Sequence, residues 1–313
     1  MATTSIWFWL AFNAGVFVAL TVDLVQFKHR GRELSMRAAA QRTAIWIVLS
    51  LLFNLVVWKI RGPDKALEFL TGYVIEYSLS VDNIFVFILI FAYFRVPPMA
   101  QHRALVWGIV GALVMRGVMI WLGIELVNRF DFILYIFGAF LLVSAWRMFF
   151  VKQEPVDFGK SWVMRCCLRI FPITQDFHGE HFKAWVNNRW VLTPLAVALI
   201  VIDVMDLVFA VDSIPAVFAI TRDPFIVYAS NICAILGLRS LYFLLVKMID
   251  RFIYLKSGLA IVLAFVGAKM VMRDLFTIPT PISLAVVIAV LGTTIAVSMA
   301  ATRRDVRQRD STP

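Results

Sequence analysis

Five carboxylates stand where carboxylates are costly. Glu76, Asp82, Asp203, Asp206 and Asp212 all lie inside long apolar stretches, and a charge at bilayer depth costs at least about 2.5–3.5 kcal/mol. Arg116 and Arg239 are the basic residues inside such stretches, which leaves a formal deficit of three negative charges. In a low dielectric that set must be protonated or must hold cations. A group that alternates between the two states can exchange a metal ion for protons. Asp203 and Asp206, three apart, share a helix face. Glu76 and Asp82, six apart, differ by about 240° and 9 Å on an ideal helix. Either that helix unwinds between them or the ligands come from two segments. Pro215 frees the carbonyl of Val211 beside Asp212 and favours unwinding there; in the other segment Ser78 and Ser80 would have to serve.

Asn83 and Ser213, each following an Asp, add amide and hydroxyl oxygens. The expected metal set is therefore Glu76, Asp82, Asn83, Asp203, Asp206, Asp212 and Ser213. Arg116 and Arg239 are the counter-charges, fixed or movable. No His lies in a core apolar stretch and Cys233 is the one thiol there. Oxygen ligands suit Mg²⁺, Ca²⁺ or Mn²⁺ and argue against Cu(I) or structural Zn²⁺. Met205 reads as a lipid- or core-facing side chain.

The elements that must position these groups are bilayer-spanning helices. Of the 313 residues 61% are hydrophobic and 16% charged, where a soluble domain carries about 25% charged. The apolar runs are unbroken over about 20 residues. They fall at roughly 5–27, 42–60, 66–94, 104–123, 131–150, 191–220, 225–247, 257–272 and 280–301, an all-α membrane protein of about nine transmembrane helices. The net charge of +10 is a topology signal rather than a nucleic-acid one: with the N-terminus outside, 21 of the 30 Lys and Arg fall on inner segments and seven outside. The positive-inside rule then gives N-out, C-in. Residues 1–7 lack a basic region and no small-residue cleavage site closes the first run, so it reads as a retained helix.

The runs 66–94 and 191–220 are too long for a straight crossing, about 45 Å against a core of about 30 Å. Aligning Asp82 on Asp212 places Glu76 on Asp206, Val81 on Val211 and Asn83 on Ser213. Arg116 then falls opposite Arg239, and Arg129-Phe130 opposite Arg251-Phe252. Three crossings per copy invert the second copy, the 3+3 inverted-repeat plan of many secondary transporters with the site at the midplane. The domains follow: 1–65, two accessory helices; 66–150, first repeat; 151–190, a cytoplasmic loop; 191–275, second repeat; 276–301, a final helix; 302–313, a basic cytoplasmic tail.

Other features carry less chemistry. Asp23 reads as a partner of Lys28 or a snorkelling side chain. His178-Gly-Glu180-His181 is a weak metal-sensor pattern in the loop, and 161–171 alternates apolar and basic groups as an interfacial helix would. Cys166-Cys167 lacks Cys-x-x-Cys spacing, so no redox role follows. Phosphate-binding glycine loops and nucleophile–base arrangements are absent, so no enzyme and no organic cofactor are expected.

Val-Ile-Glu76-Tyr-Ser-Leu-Ser-Val-Asp82-Asn83, Phe209-Ala-Val-Asp212-Ser213-Ile-Pro215-Ala, Phe132-Ile-Leu-Tyr-Ile-Phe-Gly-Ala-Phe and Ile235-Leu-Gly-Leu-Arg239-Ser-Leu-Tyr-Phe-Leu-Leu resemble the TerC (tellurium-resistance) family of bacterial membrane proteins, in its Alx-like branch. The resemblance runs over about residues 10–300. It implies a multi-pass inner-membrane protein that exports Mn²⁺ from the cytoplasm, with Glu76, Asp82, Asp206 and Asp212 as ligands. Asp203 stands where the branch has Glu. Partners are then the lipid bilayer, a divalent ion and protons as coupling ion. Two other readings stay open: export of Ca²⁺ or a basic amino acid through the same architecture, and a membrane scaffold that aids insertion or metalation of other proteins through 151–190.

Overall fold

A computed structural model describes residues 6–28, 35–150, 169, 172–174, 179, 181–186, 188–247 and 254–310. Helices α1 (Ile6–Lys28), α2 (Met36–Arg61), α3 (Pro63–Tyr93), α4 (Pro98–Arg129) and α5 (Ile133–Phe150) precede a short antiparallel hairpin, β1 (Lys183–Val186) and β2 (Arg189–Leu192). Then come α6 (Pro194–Phe218), α7 (Pro224–Leu236), α8 (Leu238–Val246), α9 (Leu255–Val271) and α10 (Thr280–Asp310). Seven helices, α1 to α6 and α10, are long and apolar enough to cross a membrane; α7 and α8, bent by 41° at Gly237, form an eighth if they are one span. The chain is thus a helical multi-pass membrane protein. The hairpin is the one departure from all-α among the described residues. Every expected apolar run is helical, but α9 has 17 residues, about 26 Å, slightly less than the hydrocarbon core.

Proline sets where the core helices begin. Pro63, Pro98, Pro194 and Pro224 open α3, α4, α6 and α7, where the missing N–H costs nothing and φ is already helical. Thr193 caps α6 and Asp223 caps α7 through their side-chain oxygens. Gly62 alone separates α2 from α3, at φ 90°, a conformation that a side chain would strain.

Of the two ways in which segments this long can cross, a break or a strong tilt, the break does not occur. Helix α3 runs unbroken for 31 residues and α6 for 25, straight through Pro215. Pro215 stands three residues from the end of α6, where removing one hydrogen bond of the last turn is cheap. The break falls instead at Gly237.

Helices α3, α6 and α7 form the interior. Nearly all of α7 is buried, whereas α1 buries only Phe12 among its described side chains. The outward stripe Trp107, Val114, Val118 and Trp121 of α4 is exposed and faces lipid. Packing pairs α3 with α7 and α8, α4 with α6, α3 with α6, and α5 with α9. At the α5–α9 crossing, a Cβ on Gly138 would lie 2.9–3.0 Å from Met270, Val271 and the Gly267 carbonyl. One on Gly267 would lie 2.9–3.1 Å from the Gly138 carbonyl, Leu141 and Leu142. Helix α1 docks through aromatic rings, with Phe8 4.8 Å and Trp9 5.1 Å from Phe225, and Phe12 5.0 Å from Phe53.

Candidate functional site

Helices α3, α4 and α6 each bring a charged side chain to the centre from a buried stripe. On α3 the stripe is Gly72, Ile75, Glu76, Leu79, Ser80 and Asn83; on α6 it is Ile202, Asp206, Ala210 and Ser213; on α4 it is Ala112, Arg116 and Ile120. The 3.6-residue period that buries the apolar neighbours buries these polar groups with them. Glu76 is 0% exposed, Arg116 1% and Asp206 3%.

Arg116 holds the two acids together. Its Nη1 donates to Glu76 Oε1 in a close ion pair. Its Nε and Nη2 donate to both oxygens of Asp206, at 3.3 and 3.2 Å. The fork geometry of guanidinium suits this two-oxygen grip. Asn231 of α7 completes the cluster: its Oδ1 accepts from Arg116 Nη1 at 2.7 Å and its Nδ2 donates to Glu76 Oε2 at 3.0 Å. Ser213 Oγ accepts from Arg116 Nη1 at 3.3 Å. One Arg against two carboxylates leaves one negative charge in excess, and the satisfied hydrogen bonds are what make so dry a cluster tolerable.

Asp203, a turn before Asp206, adds a further charge. Its Oδ1 is buried and has no hydrogen-bond partner. The side chain lies against Gly111 of α4, where a Cβ would come within 3.0–3.1 Å of the carboxylate, and near Gly108. Glycine at these positions gives the carboxylate its room.

Asp82 and Asp212 lie apart from this cluster. Ser144 of α5 donates to Asp212 Oδ1 at 2.8 Å, with the charge of Arg147 acting from one turn further along α5. Asp82 makes no hydrogen bond or ion pair among the described residues, and the charge that acts on it is that of Lys256 in α9. Asp212 thus reaches a helix of the other segment. Asn83 is buried beside Asp82. The expectation of one shell gathering all seven ligands is not met here: no three His, Cys, Asp or Glu side chains converge among the described residues.

Arg239 is a second correction. It pairs with Asp23 of α1 in a largely buried ion pair, so it balances an accessory helix and gives Asp23 a partner 216 residues away. The 41° bend at Gly237 separates Asn231, which reaches the cluster, from Arg239, which does not. Arg239 and Asp206 still border one small cavity of about 10 Å³, room for about one water. Sequence reasoning missed Asn231 and Ser144. Asn231 carried the same signal as Asn83, a polar amide in an apolar run. Ser144 carried none, because an isolated serine in a membrane helix commonly bonds its own backbone. His178, Glu180, Cys166, Cys167 and most of 161–171 lie outside the described residues.

The comparisons with known proteins agree with this architecture. Residues 61–306 match the integral membrane protein TerC family. The chain belongs to that family. An uncharacterized membrane protein, STKORF319, of Myxococcus xanthus is 43% identical over 295 residues, covering 94% of this chain and 92% of its own. The "Putative membrane-bound redox modulator Alx" of Salmonella typhi is 44% identical over 299 residues, 93% of each chain. Its namesake in Escherichia coli K12 is 42% identical over 310 residues, covering 96% and 97%. No solved structure is significantly similar.

Proposed function

We propose that the chain is a secondary transporter of the bacterial inner membrane that exports Mn²⁺ from the cytoplasm in exchange for protons. The observation that carries this reading is the meeting of Glu76 and Asp206 on Arg116 beside the unpartnered oxygen of Asp203. Two carboxylates on one guanidinium are a site already occupied by a cation, the side chain's own. An arriving hard divalent ion competes with Arg116 for the same oxygens, and its two charges match the two acids where the arginine supplies one. Withdrawal of Arg116 toward Asn231 and Ser213, its neutral partners, would open the acids to the ion. When the ion leaves, protons or Arg116 restore balance, so the site is never both empty and ionised. Oxygen ligands favour Mn²⁺, Mg²⁺ or Ca²⁺ over softer ions.

An inverted repeat is the architecture we infer beneath this site, with α9 as a ninth crossing and the N-terminus outside. Three observations support it. Glu76 and Asp206, matched in the alignment of the two segments, are the acids that meet. Pairwise packing is preserved when α3 is exchanged with α6, α4 with α7–α8 and α5 with α9. At the glycine crossing the third helices of the two segments, α5 and α9, pack directly on each other, with Gly138 and Gly267 each against the other's backbone carbonyl, as helices beside a pseudo-two-fold axis would.

The test is ion-resolved uptake into inverted vesicles containing the purified protein. Mn²⁺ uptake that requires Glu76 and Asp206 supports the reading; equal uptake by Glu76→Gln and Asp206→Asn would remove it. The relatives' names supply a second reading, redox modulation. A protein acting through thiols would lose its effect on combined Cys166→Ser, Cys167→Ser and Cys233→Ser substitution, whereas one acting through the acids would keep it.

A further inference from the structure

A second charged region lies at one end of the bundle, where α2, α6 and α9 finish and α3, α7 and α10 begin. These ends surround an open basin of about 1100 Å³. By the distribution of Lys and Arg this is the outer side, the side that the positive-inside rule depletes of basic residues. Of the seven Lys and Arg assigned outside, five line this one basin: Arg61, Lys65, Arg222, Lys269 and Arg273. Glu68 and Asp223 are the acids in its lining, so its formal charge is +3.

The two acids are already engaged. Asp223 pairs with Arg61 at 2.9 Å and caps α7 by accepting from the Phe225 and Ile226 amides. Glu68 pairs with Lys65 at 2.6 Å and accepts from Thr221. The remaining three cations are weakly held. Arg222 and Arg273 meet Asp131 and Asp274, whose side chains are 73% and 69% exposed; such pairs are worth about 0–1 kcal/mol. The Nε of Arg273 faces Asp274 at 3.3 Å without hydrogen-bond geometry, and its guanidinium lies over the Tyr135 ring at 5.1 Å. Lys269 donates to Ser283 at 2.9 Å and has no carboxylate partner among the described residues. Beside these cations the wall is apolar, formed by Leu134, Phe218, Met270 and Phe276.

Weakly held cations against an apolar wall, at the ends of membrane-spanning helices, fit an amphiphile with an anionic head. We propose that the basin binds the phosphate of an anionic glycerophospholipid from the outer leaflet. Lys269 and Arg273 hold the phosphate, Arg222 closes the rim, and the apolar wall takes the glycerol and upper acyl chain. Counting Asp131 and Asp274, which meet Arg222 and Arg273 at the rim, one positive charge remains in excess, and it favours an anionic over a zwitterionic head. This site is independent of the metal reading and stands or falls separately.

The full chain would be placed in nanodiscs of phosphatidylethanolamine doped with phosphatidylglycerol, then released into the gas phase and weighed with its retained lipids. Equilibrium binding of radiolabelled inorganic phosphate to the detergent-purified protein forms the second arm. The expected result is a retained phosphatidylglycerol adduct whose affinity falls about tenfold or more for each cation removed in Lys269→Gln and Arg273→Gln. Lys269→Arg should keep the adduct and shows that loss is not misfolding. Phosphate binding sensitive to the same variants, with no lipid adduct, would overturn the lipid assignment in favour of a free oxyanion. An adduct indifferent to both variants, or no binding in either arm, would overturn the site.

Discussion

Arg116 and Arg239 occupy matching positions in segments 66–150 and 191–275, yet they do opposite work. Arg116 stands on α4, an unbroken helix of 32 residues, and ties an acid from each segment to the centre. Arg239 follows the bend at Gly237 by two residues and turns to Asp23 of α1. The second segment gives Asn231 to the cluster instead of its arginine. Two arginines at the centre would have neutralised Glu76 and Asp206 outright and left no excess charge for an arriving cation. The bend therefore does more than shape a helix: under the proposed inverted repeat, it is what makes the two segments contribute unequally to the site.

The largest expected effect breaks the comparison at its centre. Arg116→Gln leaves Glu76 and Asp206 buried without a counter-charge, and removing one partner of a buried pair costs about 3–5 kcal/mol. Membrane abundance and thermal stability in detergent should fall together. Adding Glu76→Gln and Asp206→Asn should restore both, since a neutral cluster needs no arginine. Arg116→Gln protein as abundant as the parent would mean that the cluster is wet or already protonated.

Glu76→Gln and Asp206→Asn alone come next. They should leave the protein in the membrane and abolish protection of manganese-sensitive cells, because each removes a ligand while lowering the buried charge. Asp82→Asn and Asp212→Asn, which lie on the flanks, test whether the path extends from the centre toward α9 and α5. Acidification should weaken ion affinity, since protonated carboxylates are poor ligands. Uptake that is flat between about pH 5 and 8 would rule out proton–metal competition.

The glycine crossing sharpens the comparison in a region without charge. Gly138→Leu and Gly267→Leu each force a side chain into a gap that a single Cβ would already overfill, and overpacking costs about 1–3 kcal/mol. Each glycine faces the other's backbone carbonyl, so the two losses in thermal stability should be nearly equal. A large effect at one site and none at the other would mean that the two helices are not pressed together at both glycines.

How much of this was legible beforehand depends on the kind of signal. Helices declared themselves by apolar length, and the five intramembrane acids by their cost in that setting. The alignment of the two segments set Glu76 opposite Asp206 but did not say that these two acids, rather than Asp82 and Asp212, would meet on Arg116. Partner choice was not legible. Lys28 is nearer to Asp23 in the chain than Arg239, which is 216 residues away, and nothing in composition says that α1 folds back on α8. The position of the break was misjudged for a related reason: Pro215 is the stronger local signal, but a proline in the last turn breaks little. At Gly237 the neighbours decide, with Trp46 and Tyr77 closing to 3.4 and 3.7 Å of where its Cβ would be.

The smallest effect concerns the outer arm of the comparison. The ion pair between Asp23 and Arg239 holds α1 at one end, while the Phe8, Trp9 and Phe12 contacts hold it at the other. Asp23→Asn removes one of two independent attachments, so the helix should stay docked and stability should fall modestly. Coupling energies between touching charged residues are about 0.5–3 kcal/mol. A cycle of Asp23→Asn, Arg239→Gln and their combination, followed by thermal unfolding, isolates that term. Coupling in this range with Mn²⁺ uptake retained in the double variant would assign Arg239 to holding α1. If uptake falls in Arg239→Gln and is not recovered when Asp23→Asn is added, Arg239 acts on Asp206 across the small cavity they share. The two arginines would then work on one site after all.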